Sequence, residues 1–540
     1  MKKNMLICTL ALSCIGLPLA GGNTVWAAAT QTAAAQNVTA QEEYSLDFDR
    51  ASFAKETYSL NGETVACRSF RGIVYVKHPQ SVKYQSMNIF VPEAYFSGGS
   101  VNGYTKDTAP IFMPNGVGGY MPGNAGEPKE KDGMTGEANA VLVALSKGYV
   151  VAAPAIRGRT TVGDDGKTYV GKAPAFIVDY KAAVRYLRHN KKRLPAGDTE
   201  KIISNGTSAG GALSALLGVT GNAKDYEPYL KAVGAAEEKD NIFAASVYCP
   251  ITNLEHADMA YEWMFNGVNT YYMAMWQLQD LANRGQKVPG EKPKDKPEGA
   301  PPALDADAAN NPTASKQEMH MTEDEIAVSK VLKDAFPAYV NSLGLKDELG
   351  RTLTLDEKGN GSFREYIKGK YMESAQDALS RGLDVSSATW VKVRNGRVID
   401  VDLDAYPAAA TRMKAAPAFD KLDLSSAEND EFGTEDNTPK HFSLISKKYE
   451  TKEGAMADSN MIRLMNPLNF IGENATQAKH FRIRHGAIDR DTALAIPAIL
   501  ALSLQNQGVD VNFYSPWNRG HSGDYDLTEL FQWMDGICKQ

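Results

Sequence analysis

Short apolar runs alternate with helical patterns along the first half of the chain. The runs that predict buried strands are Ile111–Met113, Val150–Ala153, Ile202–Ser204 and Phe243–Tyr248. The segments that predict helices between them are 138–147, 177–187 and 212–217. Strands that alternate with helices at this spacing indicate a mostly parallel sheet with helices on both faces, which is the arrangement of α/β proteins.

The alternation stops after the fourth run and resumes near the C-terminus. Residues 481–483 and 509–514 predict two more strands, and 494–504 and 527–536 predict helices. Such a long interruption of a sheet predicts an inserted lid or cap domain. The predicted segments are a signal peptide (1–29), a flexible leader (30–43), the first part of the core (44–252), the lid insertion (253–479) and the second part of the core (480–540).

The composition is that of an ordinary soluble globular protein. The 540 residues are 43% hydrophobic and 23% charged, which excludes a disordered or fibrous chain. The formal net charge is -7 and no long Lys/Arg run occurs, so a nucleic-acid partner is not expected. Beyond the N-terminus, no window approaches the ~20 apolar residues of a membrane span.

The N-terminus predicts export. Lys2 and Lys3 precede the apolar run Met5–Ala20, and small residues follow, with cleavage expected after Ala27 or Ala29. We therefore expect a secreted or periplasmic protein.

Three cysteines remain once the predicted signal peptide is removed: Cys67, Cys249 and Cys538. Their odd number and wide spacing predict neither a disulfide framework nor a zinc site, and at most one bridge could form. We expect buried or incidental thiols.

The pentapeptide Gly206-Thr207-Ser208-Ala209-Gly210 lies between a predicted strand and a predicted helix. A G-x-S-x-G sequence in this position is typical of a nucleophile elbow, a tight turn that presents the serine hydroxyl at the edge of the sheet. The alternative is a Gly/Ser turn that packs a helix tightly. The strand before and the helix after favour Ser208 as a nucleophile.

A serine nucleophile needs a general base, and in this fold a histidine near the C-terminus supplies it. His521 occupies a loop between the last predicted strand and the last predicted helix, which is the expected place. His480 and His485 are weaker candidates, and His256 is a candidate for the lining of the pocket. The acid is expected after the penultimate strand, where Asp489 and Asp491 both qualify from their spacing; one would orient His521 and the other would hold substrate.

The developing oxyanion needs two backbone N–H donors. Ala209, directly after the expected nucleophile, should supply one. Gly118 or a neighbour in the glycine loop, Pro114–Pro122, should supply the other. This loop is not a dinucleotide-binding fingerprint, because Met121 stands where a glycine is required. Tyr120 and Trp517 are candidates either for stacking on a substrate ring or for packing.

Several of these motifs together resemble the bacterial tannases of the subtype B class, α/β-hydrolases that cleave galloyl esters. They are the elbow 206–210, the glycine loop Pro114–Pro122, the block His485–Asp491 that closes on His521, and, in the insertion, the segment Met413–Asp420 and Glu428. The fungal tannases and their feruloyl esterase relatives differ, because they pair cysteines beside the nucleophile and the base, where this chain has Thr207 and Gly520. The loop Val288–Pro312 matches no feature of the family.

The resemblance implies a role for each residue of the site. It implies Ser208 as nucleophile, Asp489 as triad acid and His521 as general base, with Asp491, Lys414 and Glu428 around the hydroxyls of a galloyl ring. Pairing of ring hydroxyls discriminates against rings without them by up to ~10⁴-fold.

The expected function is that of a secreted serine esterase that forms an acyl-enzyme, needs no metal or organic cofactor, and acts on small phenolic esters or tannins. The alternatives are a feruloyl or general carboxylesterase and, from a different class, a non-catalytic module that binds phenolics or glycans.

Overall fold

A nine-stranded mixed sheet runs through the computed structural model, which describes residues 43–133, 135–273 and 318–539. Its strands are β1 (Ala54–Leu60), β2 (Glu63–Val74), β3 (Ser86–Pro92), β4 (Pro110–Pro114), β5 (Val150–Pro154), β6 (Asp198–Thr207), β7 (Ala244–Tyr248), β12 (His480–Arg484) and β13 (Asp510–Tyr514). Two antiparallel pairs of strands stand apart from it, β8 (Thr270–Tyr272) with β9 (Glu318–His320) and β10 (Val391–Arg394) with β11 (Arg397–Val401). The predicted signal peptide, the leader up to residue 42 and the loop 288–312 lie outside the described residues.

The strand order is β1-β2-β3-β5-β4-β6-β7-β12-β13. The first three strands are antiparallel to their neighbours, and every pair from β5 to β13 is parallel. In the register of the last three strands, Ile483 lies opposite both Val247 and Phe513. This topology, with helices between the parallel strands, confirms the predicted α/β-hydrolase fold.

The helices follow the predicted alternation. Their bounds are α1 (Ala140–Ser146), α2 (Ala175–His189), α3 (Ala209–Val219), α4 (Glu227–Ala232), α5 (Leu254–Phe265), α6 (Glu323–Ser342), α7 (Ser362–Ser380), α8 (Tyr406–Ala410), α9 (Ala427–Glu431), α10 (Leu444–Lys448), α11 (Ser459–Met465), α12 (Ala495–Asn506) and α13 (Leu527–Cys538). Every residue of α3 is buried, because this helix packs against both β6 and β7. Within the three described ranges, no helix is long and apolar enough to cross a membrane.

The parallel strands direct their carboxyl ends to one edge of the sheet. The loops after β4, β6, β7, β12 and β13 therefore meet there, as ligand-binding loops do in open α/β sheets. The residues between β7 and β12 contribute a further layer of contacts to this edge.

Helix α5, which follows β7, holds the later segment 412–420 through one face. Asp258 accepts the backbone N–H groups of Phe419 (2.8 Å) and Asp420 (3.0 Å). Glu262 forms a buried ion pair with Arg412 at 2.5 Å. Because 258 and 262 are one helical turn apart, both ends of the segment 412–420 are held against the same helix face.

Candidate active site

The elbow has the strained geometry that its sequence predicts. Ser208 is a non-glycine residue with φ 61° and ψ -123°, and it lies between β6 and α3. At Gly206, a β-carbon would collide with the Gly210 carbonyl and the Asn115 side chain. The turn therefore requires a glycine there, and the serine conformation is one that a surrounding structure must impose.

Asn115 imposes part of it. Its Nδ2 donates to the carbonyl oxygens of Asn205 (3.1 Å) and Gly210 (3.0 Å), one on each side of the elbow. Its Oδ1 accepts the N–H of Val117 at 3.2 Å. The Asn115 amide thus connects the glycine loop to the elbow. This role was not predictable from the sequence, because a single asparagine after a strand is not part of a recognisable motif.

The two expected oxyanion donors lie on the two segments that Asn115 joins. Ala209 is the first residue of α3, so its N–H is among those that a helix leaves without an intrahelical partner. A β-carbon on Gly118 would meet no atom within 4 Å, which leaves open space over the loop.

Asp489 and His521 come together from two neighbouring loops. His521 Nδ1 lies 2.9 Å from Asp489 Oδ2, and Asp489 Oδ1 accepts the N–H groups of Asp491 (2.9 Å) and Thr492 (3.2 Å). Burial raises the pKa of Asp489, but His521 and then His485 outweigh that effect and bring the pKa to about 2. The carboxylate is therefore charged and fixed on the Nδ1 side of the imidazole.

Asp491 lies on the other side of the same ring. Its Oδ2 is 3.7 Å from His521 Nε2 and 2.9 Å from Lys414 Nζ. Spacing along the chain left Asp489 and Asp491 equivalent; the geometry distinguishes them, because only Asp489 contacts Nδ1. Burial lowers the pKa of His521, but Asp489, Cys249 and Asp491 outweigh it and hold that pKa well above its ordinary value.

The weaker histidine candidates lie elsewhere. His480 pairs with Asp510 at 2.7 Å at the start of β12, away from the edge that carries the elbow. His256 stacks on Tyr339 at a centroid distance of 3.8 Å. His485 is buried behind Asp489, with Nε2 3.5 Å from Oδ2, and burial lowers its pKa.

The loop that carries His521 packs against the elbow. A β-carbon on Gly523 would collide with Thr207 Oγ1, so the loop approaches the residue before the nucleophile more closely than any side chain would permit. Among the described residues, the Ser208 hydroxyl makes no hydrogen bond to His521. His521 Nε2 lies 3.7 Å from Asp491 Oδ2 and 3.9 Å from Cys249 Sγ.

A buried polar cluster holds the far end of the His521 loop. Arg482 Nη1 donates to the Tyr248 hydroxyl at 2.9 Å, and that hydroxyl donates to Asp526 Oδ1 at 2.6 Å. Arg482 also forms an ion pair with Asp526 directly. Tyr248 of β7 and Arg482 of β12 therefore hold Asp526, at the C-terminal end of the His521 loop, by charged hydrogen bonds.

Lys414, Glu428 and Asp491 belong to one charged cluster. No sequence pattern apart from the family resemblance assigns a role to Lys414 or Glu428. Glu428 lies on the short helix α9 and is buried. Burial lowers the pKa of Lys414, but Asp491 and then Glu428 outweigh it and raise that pKa. Burial raises the pKa of Glu428 against the effect of Lys414. Asp491 connects this cluster to His521, because its Oδ2 lies near both Lys414 Nζ and His521 Nε2.

The two aromatic candidates are packing residues. Tyr120 is buried against Phe176, with ring centroids 5.6 Å apart. Trp517 packs on Trp390 at 5.4 Å.

Comparison with known proteins relates this site to solved enzymes. A family profile described as BD-FAE matches residues 118–278. A Fusobacterium nucleatum tannase structure is 48% identical, with a TM-score of 0.82, and the match covers 92% of this chain and 100% of that one. The native tannin acyl hydrolase of Lactobacillus plantarum is 45% identical, with a TM-score of 0.81 and coverages of 91% and 99%. A tannin acyl hydrolase solved in complex with ethyl gallate matches with the same four values. No curated protein sequence matches the chain.

The contact between the His521 loop and the elbow gives the first prediction. Gly523→Ala places a methyl group against Thr207, so we expect kcat for a simple aryl ester to fall by about 10²-fold, the cost of a base displaced by roughly 1 Å. Steady-state kinetics on Gly523→Ala, Thr207→Ala and the double variant Thr207→Ala/Gly523→Ala measures the energetic coupling between the two positions. Recovery of kcat in the double variant supports the collision, and equal losses in the single and double variants contradict it.

The second prediction concerns the acidic limb of the pH profile. With His521 as the expected general base, kcat/KM should fall as the pH decreases through the raised pKa of this group. Asp491→Asn removes one of the charges that raise it, and the acidic limb should move to lower pH. Asp510→Asn, beside His480, is the control and should leave the limb in place. A limb that moves to higher pH in Asp491→Asn would refute the assignment.

Proposed function

The chain belongs to the tannase family of carboxylic ester hydrolases, and from this premise we propose that it hydrolyses galloyl esters to gallic acid and an alcohol through an acyl-enzyme on Ser208. The tannin acyl hydrolase solved with ethyl gallate supports this class of substrate.

One observation carries the proposal: Asp491 contacts both His521, the proposed base, and Lys414 of the charged cluster. Its Oδ2 is 3.7 Å from His521 Nε2 and 2.9 Å from Lys414 Nζ. A ring whose hydroxyls pair with Asp491, Lys414 and Glu428 is therefore held within a few ångströms of the base, so its carboxyl carbon can reach the elbow.

In the proposed first step, Ser208 Oγ attacks the ester carbonyl carbon as His521 Nε2 accepts the hydroxyl proton. Asp489, at Nδ1, stabilises the imidazolium that results and fixes the ring orientation. The N–H groups of Ala209 and Gly118 stabilise the oxyanion of the tetrahedral intermediate. The intermediate then breaks its bond to the alcohol oxygen, which takes the proton from His521.

In the second step, water attacks the galloyl-serine ester. His521 accepts a proton from the water and returns it to Ser208 Oγ as the bond between the acyl carbon and that oxygen breaks. Gallic acid leaves and the free serine is regenerated. No metal ion takes part in either step.

The charged cluster supplies the selectivity in this proposal. A galloyl ring presents three hydroxyl donors, and the carboxylates of Asp491 and Glu428 are acceptors, while Lys414 donates to a hydroxyl oxygen. Lys414 and Asp491 pair with each other, but the buried Asp491 Oδ1 has no hydrogen-bond partner among the described residues. A ring without hydroxyls would leave this atom unsatisfied, and that loss is what discriminates against it.

The nucleophile gives the third prediction. Ser208→Ala should lower kcat for methyl gallate by about 10⁴-fold or more, since the covalent route is lost. Ser204→Ala is a matched control on the same strand, because the Ser204 hydroxyl is buried and has no hydrogen-bond partner among the described residues. Gallate release followed by chromatography measures both. Turnover by Ser208→Ala at the rate of the Ser204 control would exclude the mechanism.

The ring-binding cluster gives the fourth prediction. Glu428→Gln keeps the side-chain shape and removes the charge, so kcat/KM for methyl gallate should fall by about 10- to 100-fold while that for methyl benzoate changes little. Glu365→Gln, at an exposed position of α7, is the control.

The same assays with methyl ferulate separate the proposal from a feruloyl or general esterase. We expect the wild type to prefer methyl gallate to both other esters. A gallate-to-benzoate ratio that is unchanged in Glu428→Gln would remove the residue from ring recognition without affecting the role of Ser208.

A further inference from the structure

Cys249 lies beside the proposed general base, although the proposed reaction does not use it. Its Sγ is 3.9 Å from His521 Nε2, which is within hydrogen-bond distance for sulfur, and the thiol also contacts the Ser522 carbonyl at 3.5 Å. The residue directly follows β7 with φ 35°, and its backbone N–H donates to the Arg484 carbonyl at 2.6 Å. The thiol is therefore fixed next to Nε2 by the backbone.

The separation of these two atoms suits a shared metal ion. A tetrahedral ion with bonds of about 2.3 Å to sulfur and about 2.0 Å to nitrogen holds the two ligand atoms roughly 3.6 Å apart. The observed 3.9 Å differs from this by a few tenths of an ångström, which a small side-chain rotation corrects.

The surroundings also match a metal centre. His521 Nδ1 is engaged by Asp489 at 2.9 Å, and this carboxylate–histidine pairing is the one that orients and strengthens histidine ligands of zinc. Cys249, Asp489 and His521 form a group whose ligand atoms all lie within 4.8 Å of one another, in the part of the chain that the structure describes. Asp489 and Asp491 add two carboxylates around the ring, and the cations that interact with them include Lys414 and Arg490.

We propose that Cys249 Sγ and His521 Nε2 form a binding site for a thiophilic divalent cation, Zn²⁺ or Cd²⁺, and that an ion bound there inhibits the enzyme. As the metal–sulfur bond forms, the S–H bond breaks and sulfur keeps the electron pair; as the metal–nitrogen bond forms, the N–H bond of a protonated Nε2 breaks and nitrogen keeps its pair, and both protons pass to solvent. The Nε2 lone pair that would accept the Ser208 proton is then occupied by the metal. The inhibition rests on the proposed function; the binding does not.

A thiolate and an imidazole select for soft and borderline ions. Zn²⁺ and Cd²⁺ should therefore bind, whereas Mg²⁺ and Ca²⁺, which prefer oxygen ligands, should not. The ion would enter from the His521 side, since 12% of that side chain is exposed and Cys249 is buried.

The fifth prediction tests binding separately from catalysis. Cd²⁺ is titrated into the full chain carrying Ser208→Ala, and the thiolate-to-metal charge-transfer absorbance is followed together with the stoichiometry by calorimetry. We expect one Cd²⁺ per chain with the absorbance band. Adding Cys249→Ser should remove the band, and adding Asp489→Asn should weaken binding by about 10- to 100-fold through the loss of support for His521.

Cys67→Ser is the matched control, because Cys67 is another buried free cysteine, on β2, and should leave the titration unchanged. In the chain with Ser208 intact, Zn²⁺ should inhibit methyl gallate hydrolysis, Mg²⁺ should not, and Cys249→Ser should raise the inhibitory Zn²⁺ concentration by more than about tenfold relative to its own metal-free rate.

A Cd²⁺ band that survives Cys249→Ser or His521→Ala overturns the site, as does a titration that depends on Cys67. If the Ser208 chain proves inactive on gallate esters, the proposed function fails, while the Cd²⁺ titration still decides the metal site. Circular dichroism of each variant identifies any that has lost its fold, and Cys249→Ala then replaces Cys249→Ser.

Discussion

The hydrogen bond between Asp489 and His521 is the interaction on which the rest of the site depends. The two residues follow different strands, β12 and β13, and their loops are also joined by backbone bonds from Ala487 to Pro516 (2.9 Å) and from Ile488 to Arg519 (3.0 Å). Because both strands are parallel neighbours in the sheet, their carboxyl ends present the two loops at the same height. The bond is thus a product of sheet topology, and a buried charged pair of this kind is kept only where the backbone supplies its remaining hydrogen bonds.

The site is built from buried charges, and each is balanced locally. Asp491 is shared between Lys414 and His521, and Lys414 is shared between Asp491 and Glu428. An isolated buried charge is disfavoured relative to its neutral form, so such groups need charged partners close by. Together they stay polar in a protected environment, where hydrogen bonds to a ligand are stronger than in water and where an unsatisfied group is costly. A cluster of this type recognises hydroxyls and penalises their absence, which is the property that a galloyl esterase requires.

The parts of this arrangement that were predictable from the sequence are the local ones. Ser208 and His521 stand in patterns that a turn and a loop impose on neighbouring residues, and the parallel sheet follows from short apolar runs such as Ile202–Ser204. The buried face of α5 does not show in the hydrophobic pattern, because Asp258 and Glu262 are polar residues on it whose partners lie far away in the chain. Spacing could not separate Asp489 from Asp491, since both follow the same strand. Asn115, Arg482 and Cys249 were missed because their roles exist only in tertiary contacts.

Cys249 shows how strongly the fold dictates the neighbours of the base. Its position is set by backbone bonds on both sides: Ser208 N–H to the Tyr248 carbonyl at 3.0 Å and Ile251 N–H to the Ser208 carbonyl at 3.4 Å. These bonds fasten the residues after β7 to the elbow itself, so any side chain at position 249 is placed next to the nucleophile and the imidazole. The proposed mechanism favours a small side chain there, because it needs His521 to reach Ser208. A thiol satisfies this steric requirement, and its affinity for soft metal ions follows from its chemistry in that place rather than from any requirement of ester hydrolysis.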